Sequence, residues 1–180
     1  KELAMTRTIG ITDISAATTS LFLPLTALAE AQGTSAGKYL RGIGQHEMSV
    51  PCEDEDIVTL AARAAAPILE RHGAGEIRTL VLATETGIDQ SKAAGIYVHE
   101  LLELPENVRV VELKEACYSA TAALQFALGI VARNPGEKVL VIASDIARYE
   151  LDSSGEATQG AGALAMLVSA DPKIVAIEPA

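Results

Sequence analysis

Three side chains able to make and break bonds follow three successive apolar runs. Glu85 comes after 77–84 (IRTLVLAT), Cys117 shortly after 108–113 (VRVVEL), and Asp145 after 138–144 (KVLVIAS). A thiol beside carboxylates is the equipment of covalent acyl transfer, with sulfur as nucleophile and a carboxylate moving the proton. Cys117 lies where a β-branched run gives way to Ala120, Leu124, Ala127, Leu128 and Val131 at helical spacing, with more apolar residues on the other faces. A helix apolar all round is expected between layers. Unpaired N–H groups at its start, and the positive end of its dipole, stabilise negative charge on a sulfur placed there. On position alone Cys117 reads equally as a small buried hydrophobe and as a nucleophile. The elements around it tip the balance.

Strands apolar throughout, joined by helices over 91–102 and 117–133, predict a parallel sheet covered on both faces. Ligands bind such sheets at the carboxyl ends of the strands. Parallel order therefore delivers Glu85, Cys117 and Asp145 to one edge. Singly, Glu85 or Asp145 could cap a helix or face water; together they favour a reactive site. Cys52 serves as a control, because Glu53, Asp54, Glu55 and Asp56 beside it disfavour a thiolate. His46, His72 and His99 follow no strand end and receive no role.

Elsewhere the pattern predicts a strand over 8–14, a short helix over 25–31 behind Pro24, and a helix over about 55–71. Acidic residues open that longer helix, Arg71 and His72 close it, Gly73 stops it, and Pro67 is a candidate kink. Strands over 163–169 and 174–177 end the chain, after a glycine-bearing loop at 155–162. A second such loop, 37–45, carries Lys38 and Arg41. On spacing alone it reads as an ordinary turn with solvated charges.

The 180 residues suit one domain with one substantial core, and 49% hydrophobic content with no Trp makes that core aliphatic. A net charge of −10 argues against nucleic acid or an anionic membrane as partner. Two cysteines make no disulfide framework, which fits a reducing compartment; with no membrane-length apolar run and no leader pattern, a cytoplasmic protein is expected. Lys1–Ala4, ahead of Met5, are expected to be foreign to the natural sequence.

The segments ATETGID (83–89), KEACYSATAA (114–123), VLVIASDIARY (139–149) and GEATQGAGALAMLV (155–168) closely resemble 3-hydroxy-3-methylglutaryl-CoA synthase of the bacterial, actinomycete-like kind. GKYLRGIGQHEMSVP, with EDIVTLAA after it, fits as well, and the resemblance runs from Thr8 onward. It implies an α/β, thiolase-like fold, of which residues 5–180 are the N-terminal half: a mostly parallel sheet, helices on both faces, and a buried helix starting at Cys117. Cys117 is then the nucleophile that takes acetyl from acetyl-CoA, and Glu85 the general acid/base in condensation with acetoacetyl-CoA. Tyr118, Asp145 and Thr158 match positions lining the acyl pocket, and Lys38 and Arg41 the region holding CoA phosphates. The resemblance implies a homodimer, no metal, and no cofactor beyond the CoA thioester substrates. It also implies a C-terminal half, absent from these residues, that brings a catalytic histidine. The polyketide β-branching synthases, which take acyl groups from carrier proteins, are a close rival. A ketoacyl carrier-protein synthase would lack a glutamate placed like Glu85, and an inactive half serving as an interaction module is the reading outside enzymes.

Overall fold

Side-chain alternation along three central strands decides the layering. The computed structural model describes residues 8–178, so Lys1–Ala4 lie outside the described residues. In order, the chain forms β1 (Gly10–Thr18), β2 (Leu21–Pro24), α1 (Leu25–Ala31), a π-helical turn (Lys38–Ile43), β3 (Glu47–Val50) and α2 (Ile57–His72). There follow β4 (Ile77–Ala83), α3 (Gly95–Leu101), β5 (Arg109–Leu113), α4 (Ser119–Arg133), β6 (Lys138–Ala147), a 3-10 turn (Glu156–Thr158), β7 (Gly160–Ser169) and β8 (Val175–Ala176). One six-stranded sheet has the order β5-β4-β6-β7-β1-β8, and β2 pairs with β3 in a separate ribbon. Leu80, Leu82, Leu140 and Ile142 turn to the face packed by α2 and α3. Val81, Ala83, Val139 and Val141 turn to the face packed by α4, against Ala123, Ala127 and Val131. The period of two thus sorts one apolar strand into two cores.

The α/β fold with helices on both faces is as expected, but the sheet is mixed rather than mostly parallel. Only β4–β5 and β4–β6 are parallel; β6–β7, β1–β7 and β1–β8 are antiparallel. The reason lies in residues 148–159, which reverse the chain without a helix long enough to carry it back across the sheet. Among the described residues no helix is long and apolar enough to cross a membrane.

The longest helix shows why its start is so well fixed. Asp56 Oδ1 accepts the Val58 and Thr59 N–H groups at 2.9 and 2.7 Å, and Thr59 Oγ1 accepts the Asp56 N–H at 2.9 Å. This capping box stabilises the helix by about 1 kcal/mol. From there α2 buries Leu60, Ala61, Ala64, Ala65 and Ile68 completely, runs through Pro67, and stops at Gly73 with φ +68.

The helix after Cys117 differs from expectation. It begins at Ser119 instead of Cys117 and buries one side only, through Ser119, Ala122, Ala123, Ala127 and Val131. Phe126 is 60% exposed, because among the described residues only the sheet packs on α4 and nothing covers its outer side. The β2–β3 ribbon escaped sequence reading, since LFLP lacks alternation and ends in Pro24. Ser49 stitches it to β7: its hydroxyl accepts the Ala161 N–H at 2.7 Å and donates to the Ala161 carbonyl at 2.6 Å.

Candidate active site

Ala83 on β4 sits opposite Leu113 on β5 and Ala143 on β6. Glu85 leaves the sheet two residues beyond Ala83, and Cys117 four residues beyond Leu113. Both side chains are exposed. Asp145 lies at the same edge, though still inside β6 opposite Gly162 instead of past its end. The antiparallel partner β7 prolongs β6 beyond the point where a purely parallel strand would have stopped.

Asp145 is half-buried, and what it holds is the turn bearing Glu85. Its Oδ1 accepts the Glu85 N–H at 2.6 Å, the Thr86 N–H at 3.2 Å, and the hydroxyls of Thr84 and Thr86 at 3.0 and 3.2 Å. Thr84, fully buried, also donates its N–H to the Leu113 carbonyl at 3.1 Å. The turn after β4 is therefore fixed from both neighbouring strands, which aims an exposed carboxylate from a rigid base. Thr84 and Thr86 were not singled out in the sequence, although a threonine on each side of Glu85 was the available signal.

Cys117 rides on a turn of unusual backbone. Ala116 has φ +48, the left-handed region that a residue with a Cβ seldom occupies. Tyr118 occupies the N-cap of α4 without a side-chain cap bond. Tyr118 lines a cleft with Glu115, Ala122, Gln125 and Phe126, and Asp145 is not part of that lining. The other cysteine, Cys52, donates its thiol to Glu55 Oε2 at 3.1 Å. That hydrogen bond, with the nearby carboxylate charges, pushes the Cys52 thiol above its ordinary value and makes it a poor nucleophile.

Lys38, Arg41 and Thr158 gather in a second group. Lys38 and Arg41 lie exposed on the π-helical turn, a form common at functional sites. The Arg41 guanidinium lies so close over Gly37 that a Cβ there would stand 2.6 Å from it. Tyr39, buried between these two cations, packs in one apolar cluster with Ala157, next to Thr158. Hydrogen bonds bind the two turns further. Tyr39 OH donates to Gln32 Oε1, Gln32 Nε2 donates to Glu156 Oε2 at 2.6 Å, and the Asp152 N–H donates to the same oxygen at 2.6 Å. Thr158 donates its hydroxyl to the Gly155 carbonyl at 2.7 Å, closing its own turn. A cleft between β3 and the end of β6 is lined by Met48, Ile146, Arg148, Tyr149, Leu151 and Gln159. The structure thus groups Glu85, Asp145 and Cys117 at one sheet edge and Lys38, Arg41 and Thr158 in a second, with the end of β6 continuing from Asp145 into that cleft. Among the described residues, no group of three or more His, Cys, Asp or Glu could hold a metal ion.

The family model described as hydroxymethylglutaryl-coenzyme A synthase N terminal matches residues 5–173. The hydroxymethylglutaryl-CoA synthase of Enterococcus faecalis is 48% identical over 171 residues, covering 95% of this chain and 45% of that protein. The polyketide biosynthesis 3-hydroxy-3-methylglutaryl-ACP synthase PksG of Bacillus subtilis is 39% identical over 148 residues, covering 74% of this chain and 35% of its own. A crystal structure of HMG-CoA synthase complexed with CoA superposes with a TM-score of 0.92 at 44% identity, over 96% of this chain and 44% of that one. The chain spans less than half the length of these curated relatives.

Proposed function

The chain belongs to the hydroxymethylglutaryl-coenzyme A synthase family, and from that premise we propose that it supplies the acyl-accepting half of a synthase active site. In this reading Cys117 Sγ attacks the carbonyl carbon of acetyl-CoA; the new S–C bond forms as the bond to CoA sulfur breaks, and CoA leaves. Glu85 then takes a proton from the methyl group of the acetyl thioester. A thioester makes that methyl acidic enough to give an enolate, and an exposed, rigidly based carboxylate can reach it. The enolate carbon attacks the ketone carbon of acetoacetyl-CoA, Glu85 returns the proton to the resulting alkoxide, and water cleaves the Cys117 thioester to release 3-hydroxy-3-methylglutaryl-CoA. The Cys117 backbone N–H donates to the oxyanion that develops during acyl transfer. Lys38 and Arg41 hold the phosphates of CoA, the role their exposed charge on a π-helical turn suits.

One observation carries the reading: Ala83 and Leu113 are paired on adjacent parallel strands, so the turns bearing Glu85 and Cys117 leave the sheet side by side. Likeness to the Bacillus carrier-protein enzyme favours a second reading, in which the acetyl group arrives on an acyl carrier protein. Incubation with acetyl-CoA, and separately with an acetylated carrier protein, followed by peptide mass mapping, separates the two. Acetyl on Cys117 from acetyl-CoA is the expected result. Labelling only from the carrier protein favours the second reading, and labelling from neither overturns both.

A further inference from the structure

The first residue of α4 carries a buried side chain that the proposed chemistry has not used. Ser119 is 3% exposed, and it spends its hydroxyl backward on the turn. Its Oγ accepts the Glu115 N–H at 2.6 Å and donates to the Ala116 carbonyl at 2.8 Å. Its backbone N–H donates to the same carbonyl at 3.0 Å, and the Tyr118 N–H donates to the Glu115 carbonyl at 3.1 Å. The Ala116 carbonyl is thus held by two donors from one residue, on the far side of a left-handed Ala116.

That carbonyl and the Cys117 N–H belong to the same peptide unit. A peptide is planar, and in the trans form its oxygen and hydrogen point opposite ways. Drawing the Ala116 oxygen inward, to Ser119, therefore turns the Cys117 N–H outward. An alanine in the left-handed region is strained, so the turn keeps this shape only while surrounding bonds enforce it. We infer that Ser119 is a positioning residue for Cys117: by holding the 116–117 peptide, it aims the Cys117 N–H at the oxyanion that forms when sulfur accepts an acyl group. The inference rests on Cys117 being the acyl acceptor proposed above.

The test separates acyl transfer, which develops an oxyanion, from alkylation, which does not. p-Nitrophenyl acetate is the acyl probe because it needs no CoA site. Sulfur forms the thioester, the ester C–O bond breaks, p-nitrophenolate leaves, and the thiol proton goes to solvent. Iodoacetamide is the alkyl probe. Both are followed at the Cys117 peptide by mass spectrometry, in the full chain and in Ser119→Ala. Ser119→Ala is expected to slow acetylation by about tenfold, in line with a misdirected oxyanion donor, while alkylation keeps its rate. Equal acetylation in the two proteins overturns the inference, and so does an equal fall in both reactions, which would mean general loss of the turn. Failure of acetyl-CoA to label Cys117, with the split between the two probes intact, defeats the proposed substrate and leaves the positioning role standing.

Discussion

Asp145 Oδ1 accepts the backbone N–H of Glu85 at 2.6 Å, binding the end of β6 to the turn after β4. The same oxygen takes the hydroxyls of Thr84 and Thr86 and the Thr86 N–H, so a single atom fixes three consecutive residues around the proposed acid/base. Replacing Asp145 by Ala takes this acceptor from the Glu85 N–H and the Thr84 hydroxyl, while the Thr86 N–H keeps Thr84 Oγ1 at 3.0 Å and the Thr86 hydroxyl keeps the Ile146 carbonyl at 3.3 Å. The expected cost is about 1–3 kcal/mol, read from urea unfolding, with a larger loss of Glu85-dependent chemistry than of folded protein. Asp145→Asn keeps an acceptor oxygen and should fall between the two.

The cysteines are predicted to react unequally. Cys117 is exposed, whereas the Cys52 thiol donates to Glu55 and is held above its ordinary value. Iodoacetamide near neutral pH should modify the Cys117 peptide first. Replacing Glu55 by Gln removes the charge beside Cys52 and should speed its labelling, as peptide mapping over a pH series would read.

Acid should weaken the chain through Glu55. The hydrogen bond from the Cys52 thiol, with those from the Cys52 N–H and Ser20, holds the Glu55 carboxyl at about 2. The Arg71 side chain holds Asp13 below the ordinary range as well. Below the usual carboxylate range the unfolded chain binds protons that the folded chain refuses. Stability contributed by these groups is therefore complete above that range and is lost as pH falls toward about 2. Urea midpoints measured between pH 6 and pH 3 should decline, and decline less steeply in Glu55→Gln.

The outer side of α4 is predicted to be adhesive. Tyr118 and Phe126 are 57% and 60% exposed there, with Leu124, Leu128 and Ile130 only partly covered. Contiguous exposed apolar surface of this kind promotes association. Sedimentation velocity should show self-association that Phe126→Glu reduces. A monomer at all concentrations would contradict this.

Alone, these 180 residues are predicted not to complete the condensation, because they span less than half the length of the curated relatives. Release of CoA from acetyl-CoA plus acetoacetyl-CoA at rates near those of a full-length synthase would refute it.

Much of this was legible in the amino-acid order. The runs within Ile77–Ala83 and Lys138–Ala147 are apolar on both faces, and only a sheet covered twice accepts such strands, whereas Arg109–Leu113 is a half-covered edge strand with Val111 exposed. That one rule brought Glu85, Cys117 and Asp145 to one edge. The direction of β7 was hidden, because it depends on whether residues 148–159 hold a crossover helix, and their composition does not say. The helix over 91–102 shrank to Gly95–Leu101 because Asp89 takes the Ser91 and Lys92 N–H groups at 2.7 Å each, and Glu112 takes the Ala94 N–H at 2.5 Å. Asp89 is a local competitor, but Glu112 lies far along the chain, and its capture of the Ala94 N–H leaves no local pattern to read. Nor does an alanine announce a positive φ, so the strained turn at Ala116, and with it the work of Ser119, became visible only in three dimensions.

The proposed chemistry turns on Cys117 and Glu85 acting on the same acetyl group. Loading Cys117 with acetyl in deuterated water, then following methyl exchange by mass spectrometry, tests this directly. The chain should exchange its acetyl methyl hydrogens, while Glu85→Ala should take the acetyl group yet exchange it at least about a hundredfold more slowly, the scale of a lost general base. Equal exchange in the two proteins would contradict the proposal and leave Glu85 without a part in the reaction.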